Sequence, residues 1–329
     1  MKPKIALVTG GYSGEAVVSY KSADTIQANI DSAEFDVYRI DIAKEGWYYD
    51  KGEGVRMPVD KADFSVVEED GSRVCFDAVF IALHGTPGED GRLQGYFDLI
   101  GLPYTSCNAA TSAITFNKSY TVGVAAFSGI AVAPSVLLFR QDSWSADEIA
   151  ARFAFPVFVK PNNGGSSIGM SKVLESSQLE SAIHRAFKED DQVLVEQMIE
   201  GREFTIGVFR KGNEIITLPM TEILLNEGVS FFNFEAKYEG KSVEVTPAAA
   251  SPRHFQKIEE AAKKIYRIFN CSGIVRIDFI YNDATDTPYM LEINTVPGQS
   301  AASIVPQQVK AYGWSLKQFY GSLLKQIIP

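Results

Sequence analysis

Asp278, Glu292 and Asn294 could supply three oxygen donors to one point, the first from VRIDFIY and the other two from YMLEIN. Both stretches read as strands, and the turn-rich NDATDTP between them predicts an antiparallel hairpin. Strand side chains alternate between faces. Arg276 and Asp278 therefore share a face, opposite Val275, Ile277 and Phe279. On the second strand Met290, Glu292 and Asn294 share a face, away from Leu291 and Ile293. If the register aligns the polar faces, two acids and an amide converge in an apolar setting. A carboxylate pair placed there repels itself unless a cation neutralises it. Hard oxygen donors with no histidine or cysteine beside them suit Mg2+ or Mn2+ better than zinc. The plainer alternative is a solvent-facing side of a hairpin with ordinary charges.

Residues 160–169 read KPNNGGSSIG, directly after the apolar run FPVFV. A P-loop carries its lysine after the last glycine, whereas here Lys160 comes first, at the end of a strand. Glycines allow backbone N–H groups to approach phosphate oxygens closely, so the segment reads as a phosphate cradle with Lys160 as a point charge. A flexible serine–glycine linker is the alternative. Together with a two-acid metal site, the loop points to a Mg–nucleoside triphosphate held between two layers. In VLVEQMIEGREF, Glu196, Gln197, Met198 and Ile199 read either as a connector that meets adenine or as an edge strand with solvated acids, and Glu203 as a partner for a ribose hydroxyl.

Glu15 follows Gly10, Gly11 and Gly14 at a helix start. A carboxylate there is favoured by the helix dipole, and it is equally suited to receive an ammonium across the mouth of a sheet. Gly11-x-x-Gly14 with Asp41 is half of a dinucleotide fingerprint and lacks the full spacing. His84, in HGTPGEDG, closes a buried strand and reads as a structural hydrogen-bonder. His184 and His254 fall on helices and read as surface residues.

The elements that must position these groups follow from length and pattern. The chain has 329 residues, 46% of them hydrophobic, enough for two or three packed units. A net charge of −10 without an acidic tail argues against nucleic acid or an anionic membrane as partner. No apolar run reaches the roughly 18 residues of a membrane span. MKPKIALVTGG reads as a first strand rather than a signal peptide. Cys75, Cys107 and Cys271 form neither a disulfide framework nor a zinc spacing, which fits a reducing cytoplasm. Cys75 reads as a small core residue.

KIALVTG, a helix near 16–30, FDVYRIDI, AVFIALHG and a helix near 91–100 predict a parallel α/β unit. GLPYTS reads as a further short strand. A second unit begins near Lys118, with a helix through 118–129, the strand PSVLLF, a helix opened by Ser145-x-x-Glu148, FPVFVK, a helix near 177–188 and QVLVEQM. The third unit opens with the hairpin EFTIGVFR–KGN–EIITLPM. Residues 226–248 have few strand or helix signals and read as a lid or a disordered loop. A helix from Pro252 to about Asn270 follows, with Ser251 as N-cap. The expected units are 1–117, 118–201 and 202–329.

With these residues in order, the chain resembles the D-alanine–D-alanine ligases of the ATP-grasp superfamily. The motifs GGYSGEAVVS, HGTPGEDGRLQG, GLPYTS, KPNNGGSSIGMSKV, EFTIGV, EAKY, RIDF and LEINTVPGQSAAS carry the likeness nearly end to end. The resemblance implies an α/β ATP-grasp fold, with an N-terminal parallel α/β domain and two α+β subdomains sandwiching the nucleotide. It implies ligation of two D-alanine molecules through an acyl phosphate for peptidoglycan synthesis, in a cytoplasmic homodimer that uses ATP and two Mg2+ or Mn2+ ions. Lys118, Lys160, Gly165, Ser166, Ser167 and Lys237 match positions around the phosphates, and Glu196, Gln197, Ile199 and Glu203 positions around adenosine. Asp278, Glu292 and Asn294 match the metal ligands. Glu15, Val18 and His84 match the first substrate's site, and Arg276 with Gly298 the site of its carboxylate and the oxyanion. Ser303 and Ile304 match the clamp on the second carboxylate, reached also by Lys237.

By the same resemblance Tyr238, linked to Ser166 and Glu15, goes with D-alanine rather than D-lactate as second substrate. The base for the second amine stays unassigned. Three departures from the family pattern stand out: NNGG in the loop, Gln197 in place of a basic residue, and QSAAS before the last helices. Other readings are a different ATP-grasp carboxylate–amine ligase, a non-catalytic nucleotide-binding module, or a dinucleotide oxidoreductase indifferent to Mg2+.

Overall fold

The computed structural model describes residues 2–52, 54–165, 167–225 and 242–328. Three sheets organise them. A seven-stranded sheet lies within residues 4–81, a four-stranded sheet within 135–197 and a six-stranded sheet within 202–294.

In the first sheet Lys4–Gly10 pairs in parallel with Asp36–Ala43 on one side and Ala78–Ile81 on the other. Its central residues Ile5 to Val8 are fully buried, which explains a continuous apolar run rather than an alternating one. The expectation of an all-parallel unit needs correction. Residues 46–74 add four further strands, beginning with Gly46–Gly52 antiparallel to Asp36–Ala43. Their charged, aromatic-rich sequence hides them, because one face is solvated and the other is filled by rings such as Trp47 against Phe64 and Tyr96. Cys75 is exposed, not buried, since it lies in the break between Arg73–Val74 and Ala78–Ile81. GLPYTS makes a single bridge, Val79 to Tyr104.

The four-stranded sheet has the order 171–173, 157–161, 192–197, 135–139 and is antiparallel throughout. Helix Leu179–Ala186 covers it with Leu179, Ala182, Ile183 and Ala186, the i, i+3, i+4, i+7 stripe of an amphipathic helix. Helix Lys118–Phe127 packs elsewhere: its Ala125, with Ile130 just past its end, joins the core beneath the six-stranded sheet.

The six-stranded sheet carries the hairpin Ile274–Asn282 and Thr287–Asn294 beside Arg202–Lys211. Helix Pro252–Ile268 lies under it, burying Ile258, Ala262, Ile265 and Tyr266. Its start follows from Ser251, whose side chain accepts from the His254 N–H, a contact of roughly 1 kcal/mol. Part of the expected loop 226–248 is corrected here. Ser242–Val245 is a strand paired with Thr221–Leu225, while 226–241 lies outside the described residues. The closing helices return to the first sheet, where Phe319, Tyr320 and Leu323 share a core with Ile5, Leu7 and Ile26. Among the described residues no helix is long and apolar enough to cross a membrane.

Candidate active site

The hairpin register sets Asp278 directly opposite Glu292 and Arg276 opposite Asn294. Val275, Ile277 and Phe279 are buried on the other face, as alternation requires. Alternation fails on the second strand. Phe279 pairs with Met290 and Asp278 with Glu292, so Leu291 is an extra residue, a β-bulge. Met290 therefore turns into the core, 2% exposed, and Leu291 reaches the same cleft as Glu292. The expectation that Met290 faces with Glu292 and away from Leu291 is overturned for this reason.

Arg276 is the centre of charge. Its Nε and Nη2 donate to Asp278 at 2.9 and 2.8 Å, and Nη2 lies 3.7 Å from Glu292. Burial works against its charge, yet Asp278 and Glu292 hold the guanidinium above its ordinary pKa. Asp278 also accepts from the Thr205 hydroxyl, and the Asn294 side-chain oxygen accepts from Val296 N at 3.1 Å. A purely hard-oxygen set, with two acids facing across one rung, fits a small divalent cation. Among the described residues no cluster of three histidine, cysteine or acidic side chains is placed to hold a metal, so a cation here would need the amide of Asn294 as its third donor.

Two clefts meet at this hairpin. One, of ≈ 440 Å³, runs between the four- and six-stranded sheets. Lys118, Lys160, Gly165 and Ser167 line one side of it, Glu196, Gln197 and Ile199 its inner end. The other, of ≈ 370 Å³, opens toward the N-terminal sheet, with Glu15, Val18 and His84 on one wall and Gly298, Ser303 and Ile304 on the opposite one. Gly165, Glu203, Ile223, Asp278 and Glu292 belong to both; Arg276 and Asn294 face the second.

In the first cleft Lys160 is not a lone cation. Its ammonium donates to Glu196 at 2.8 Å, and both side chains are largely buried. The Lys118 ammonium donates to the Gly164 carbonyl at 2.6 Å, tying the helix start to the glycine loop. The loop is half anchor. Asn162 is fully buried, accepts from Ser119 N and donates to Gln192, and Asn163 bonds Asp190. In its glycine part Gly164 and Gly169 hold positive φ of 98° and 71°. The Gln197 side chain turns to the 154–156 backbone, so only its main chain faces the cleft. Ser166, Lys237 and Tyr238 lie outside the described residues.

In the second cleft Glu15 precedes helix Ala16–Asn29 but makes no side-chain cap, so dipole capping by a hydrogen bond is not its role. Its carboxylate lies over two glycines. A Cβ on Gly85 would sit 2.6 Å from Oε2, and one on Gly165 2.9 Å from Oε1. His84 is buried, with Nε2 2.9 Å from the Ser22 hydroxyl and its N–H donating to Ser19 at 2.9 Å. Burial depresses its pKa to about 4, so the ring is neutral. His184 is exposed, whereas His254 is not the surface residue expected. It packs edge-on to Tyr281 at 4.3 Å and contacts Asp283 at 2.8 Å.

Two acids escaped the sequence reading. Glu89, in the quoted HGTPGEDG, is pushed up to about 8 by burial and by the Glu15 charge, and accepts from Gly85 N at 2.9 Å. Glu244 lies on the unrecognised strand and lines the second cleft. The alternation of SVEV was the available signal for it.

The comparisons agree with this architecture. Residues 4–107 match the family described as D-ala D-ala ligase N-terminus and residues 124–328 the one described as D-ala D-ala ligase C-terminus. The D-alanine–D-alanine ligase of Flavobacterium johnsoniae is 43% identical over 98% of each chain. That of Parabacteroides distasonis is 42% identical over 99% of this chain and 97% of its own. Among solved structures, D-alanyl-alanine synthetase A of Vibrio cholerae superposes with a TM-score of 0.89 at 28% identity, covering 99% of this chain and 98% of that one. A D-Ala:D-Ser ligase of Enterococcus faecalis gives 0.88 at 33%, covering 99% of both. With both halves matched in order and full-length relatives at this identity, the chain belongs to the D-alanine–D-alanine ligase family, with its ATP-grasp fold.

Proposed function

We propose that this protein joins two D-alanine molecules into D-alanyl-D-alanine, coupled to cleavage of ATP to ADP and phosphate through an acyl phosphate, for peptidoglycan precursor synthesis. The observation that carries the reading is the junction of the two clefts at Asp278 and Glu292. A triphosphate tail in the first cleft and a carboxylate in the second would meet there, where transfer of a phosphoryl group needs charge neutralisation.

On this reading the nucleotide lies between the four- and six-stranded sheets. Glu196 and Ile199 meet its base end, Glu203 its ribose, and Lys118 and Lys160 with the glycine loop its phosphates. Asp278, Glu292 and Asn294 would hold Mg2+ or Mn2+, which offsets charge on the transferred phosphoryl group when bound. Glu15 receives the ammonium of the first D-alanine, beside Val18 and the neutral His84. Arg276 draws that substrate's carboxylate to the junction and, with the Gly298 N–H, stabilises the oxyanion formed when the second amine attacks the acyl carbon. Ser303 and Ile304 hold the second carboxylate. Ser166 meets the phosphates, Lys237 the second carboxylate, and Tyr238 with Ser166 and Glu15 selects D-alanine as the second substrate. The three units are 1–117, 118–201 and 202–329, and the enzyme works as a homodimer in the cytoplasm.

The test is direct. Purified protein with ATP, Mg2+ and D-alanine should release phosphate and dipeptide in equal amounts. Phosphate release that needs some other acid, or none at all, overturns the reading.

A further inference from the structure

We propose that Glu244 is a specificity-determining residue that receives the ammonium group of the second amino acid and so selects an amine over its hydroxy-acid isostere. This rests on the proposed ligase reading and adds a contact to it.

Glu244 stands on the edge strand Ser242–Val245, opposite Ile223, which in turn lies opposite Glu203. Directly opposed residues in antiparallel strands share a face, so Glu244 projects on the side of the sheet that carries both clefts, and it lines the second. Its position is fixed from the far wall. The Gln307 amide donates to Glu244 Oε2 at 3.0 Å and to the Ala302 carbonyl at 2.9 Å. Gln307 belongs to helix Ile304–Ala311, whose N-cap, Ser303, makes no side-chain cap bond.

Among the described residues no cation is in contact with the Glu244 carboxylate. Burial disfavours its ionised form, and the Gln307 hydrogen bond and, more weakly, the Arg276 charge offset this only in part. Among the described residues its hydrogen-bond partner is the neutral amide of Gln307, and no ion pair includes it. Of the other acids of this cleft, Glu89 accepts from Gly85 N, and Asp278 and Glu292 face Arg276. A half-buried carboxylate held by a neutral donor gains most from an arriving cation.

The helix start supplies the opposite pole. Its N–H groups and dipole favour a carboxylate, and Gln307 fixes how far Glu244 stands from it. A zwitterion laid between them meets a matching charge at each end. A hydroxy acid presents the carboxylate alone and leaves Glu244 without a partner, a mismatch that buried polar groups punish more than a missing apolar contact.

The test compares full-length wild type with Glu244→Gln and Gln307→Leu, using D-alanine and D-lactate as acceptors. Glu244→Gln should raise KM for the second D-alanine about tenfold and leave KM for the first D-alanine and for ATP within about twofold. The ratio of depsipeptide to dipeptide should rise in step. Gln307→Leu should shift both readouts the same way by less. ADP binding followed by thermal shift confirms that each variant is folded. An unchanged second KM and product ratio in a folded Glu244→Gln enzyme overturns the inference while the ligase reading stands. A wild type that makes no dipeptide overturns that reading instead.

Discussion

Protonation of His84 should destabilise this protein. The ring is buried between helix Ala16–Asn29 and the segment that follows Asn294. Ser22 Oγ accepts from Gln299 N at 3.1 Å and lies 2.9 Å from His84 Nε2, so the hydroxyl hydrogen is directed at Nε2 and the other ring nitrogen bonds Val296. A proton on Nε2 would turn that nitrogen from acceptor to donor, so the Ser22 hydroxyl hydrogen would lose its acceptor in a dry pocket. The pKa falls from 6.5 to about 4. With the folded value below the unfolded one, the unfolded chain binds the proton more readily, so stability falls as pH is lowered from 6.5 and levels off below about 4. The full shift corresponds to roughly 3 kcal/mol. At about pH 5, where unfolded histidine is mostly charged and the folded ring mostly neutral, about 2 kcal/mol of it is lost.

His84→Gln removes the titration while keeping an oxygen that can accept from Ser22. Urea unfolding of both proteins at about pH 7.5 and about pH 5 isolates the effect, because every other titrating group is common to the two. The stability gap between wild type and variant should shrink by about 2 kcal/mol at the lower pH. A gap that does not change with pH refutes the account of His84 as a buried neutral ring.

Gly85→Ala should raise KM for the first D-alanine several-fold, because φ is +69° and the new Cβ would meet Glu15 Oε2 at 2.6 Å; unchanged steady-state constants would separate Glu15 from that substrate. Lys160→Met leaves Glu196 buried beside an apolar chain, costing about 3 kcal/mol in thermal or urea unfolding and raising KM for ATP; a variant as stable as wild type contradicts the buried pair. Asp278→Asn and Glu292→Gln should each lower turnover by at least about 100-fold. Removal of divalent metal with a chelator should stop wild-type turnover and Mg2+ should restore it, whereas turnover that persists in chelator rules out the proposed ion.

The parts of the fold legible in the sequence were those where local pattern and tertiary context agree. Helix Pro252–Ile268 announces itself by Ser251, Pro252 and its apolar stripe, and the hairpin around Asp278 by alternation and a turn-rich joint. Strands at the solvated edge of the first sheet were missed because their side chains mix charge with aromatics and make no uniform period. Cys75 was misjudged since its neighbours are apolar while its own place is a break between strands. The bulge at Leu291 cannot be read from residue types: YMLEIN alternates acceptably in either phase, and only pairing with the Asp278 strand decides which residues go inward.

That bulge explains why the junction of the clefts is both charged and walled by apolar groups. Without it, a strict period of two would send Leu291 to the core and Met290 to the cleft, two residues from Glu292 rather than adjacent to it. With it, Leu291 and Glu292 line the cleft together while Ile293 stays buried. The low polarity that Leu291 adds strengthens every charge interaction of Glu292 with Arg276 and Asp278. It also raises the cost of leaving any of the three unpaired. The acids that would take a cation are thus held, before any ligand arrives, by the same guanidinium proposed to meet the substrate's carboxylate. Binding of metal and substrate then amounts to an exchange of partners among charges already gathered, and no bare charge has to be desolvated at the moment of reaction.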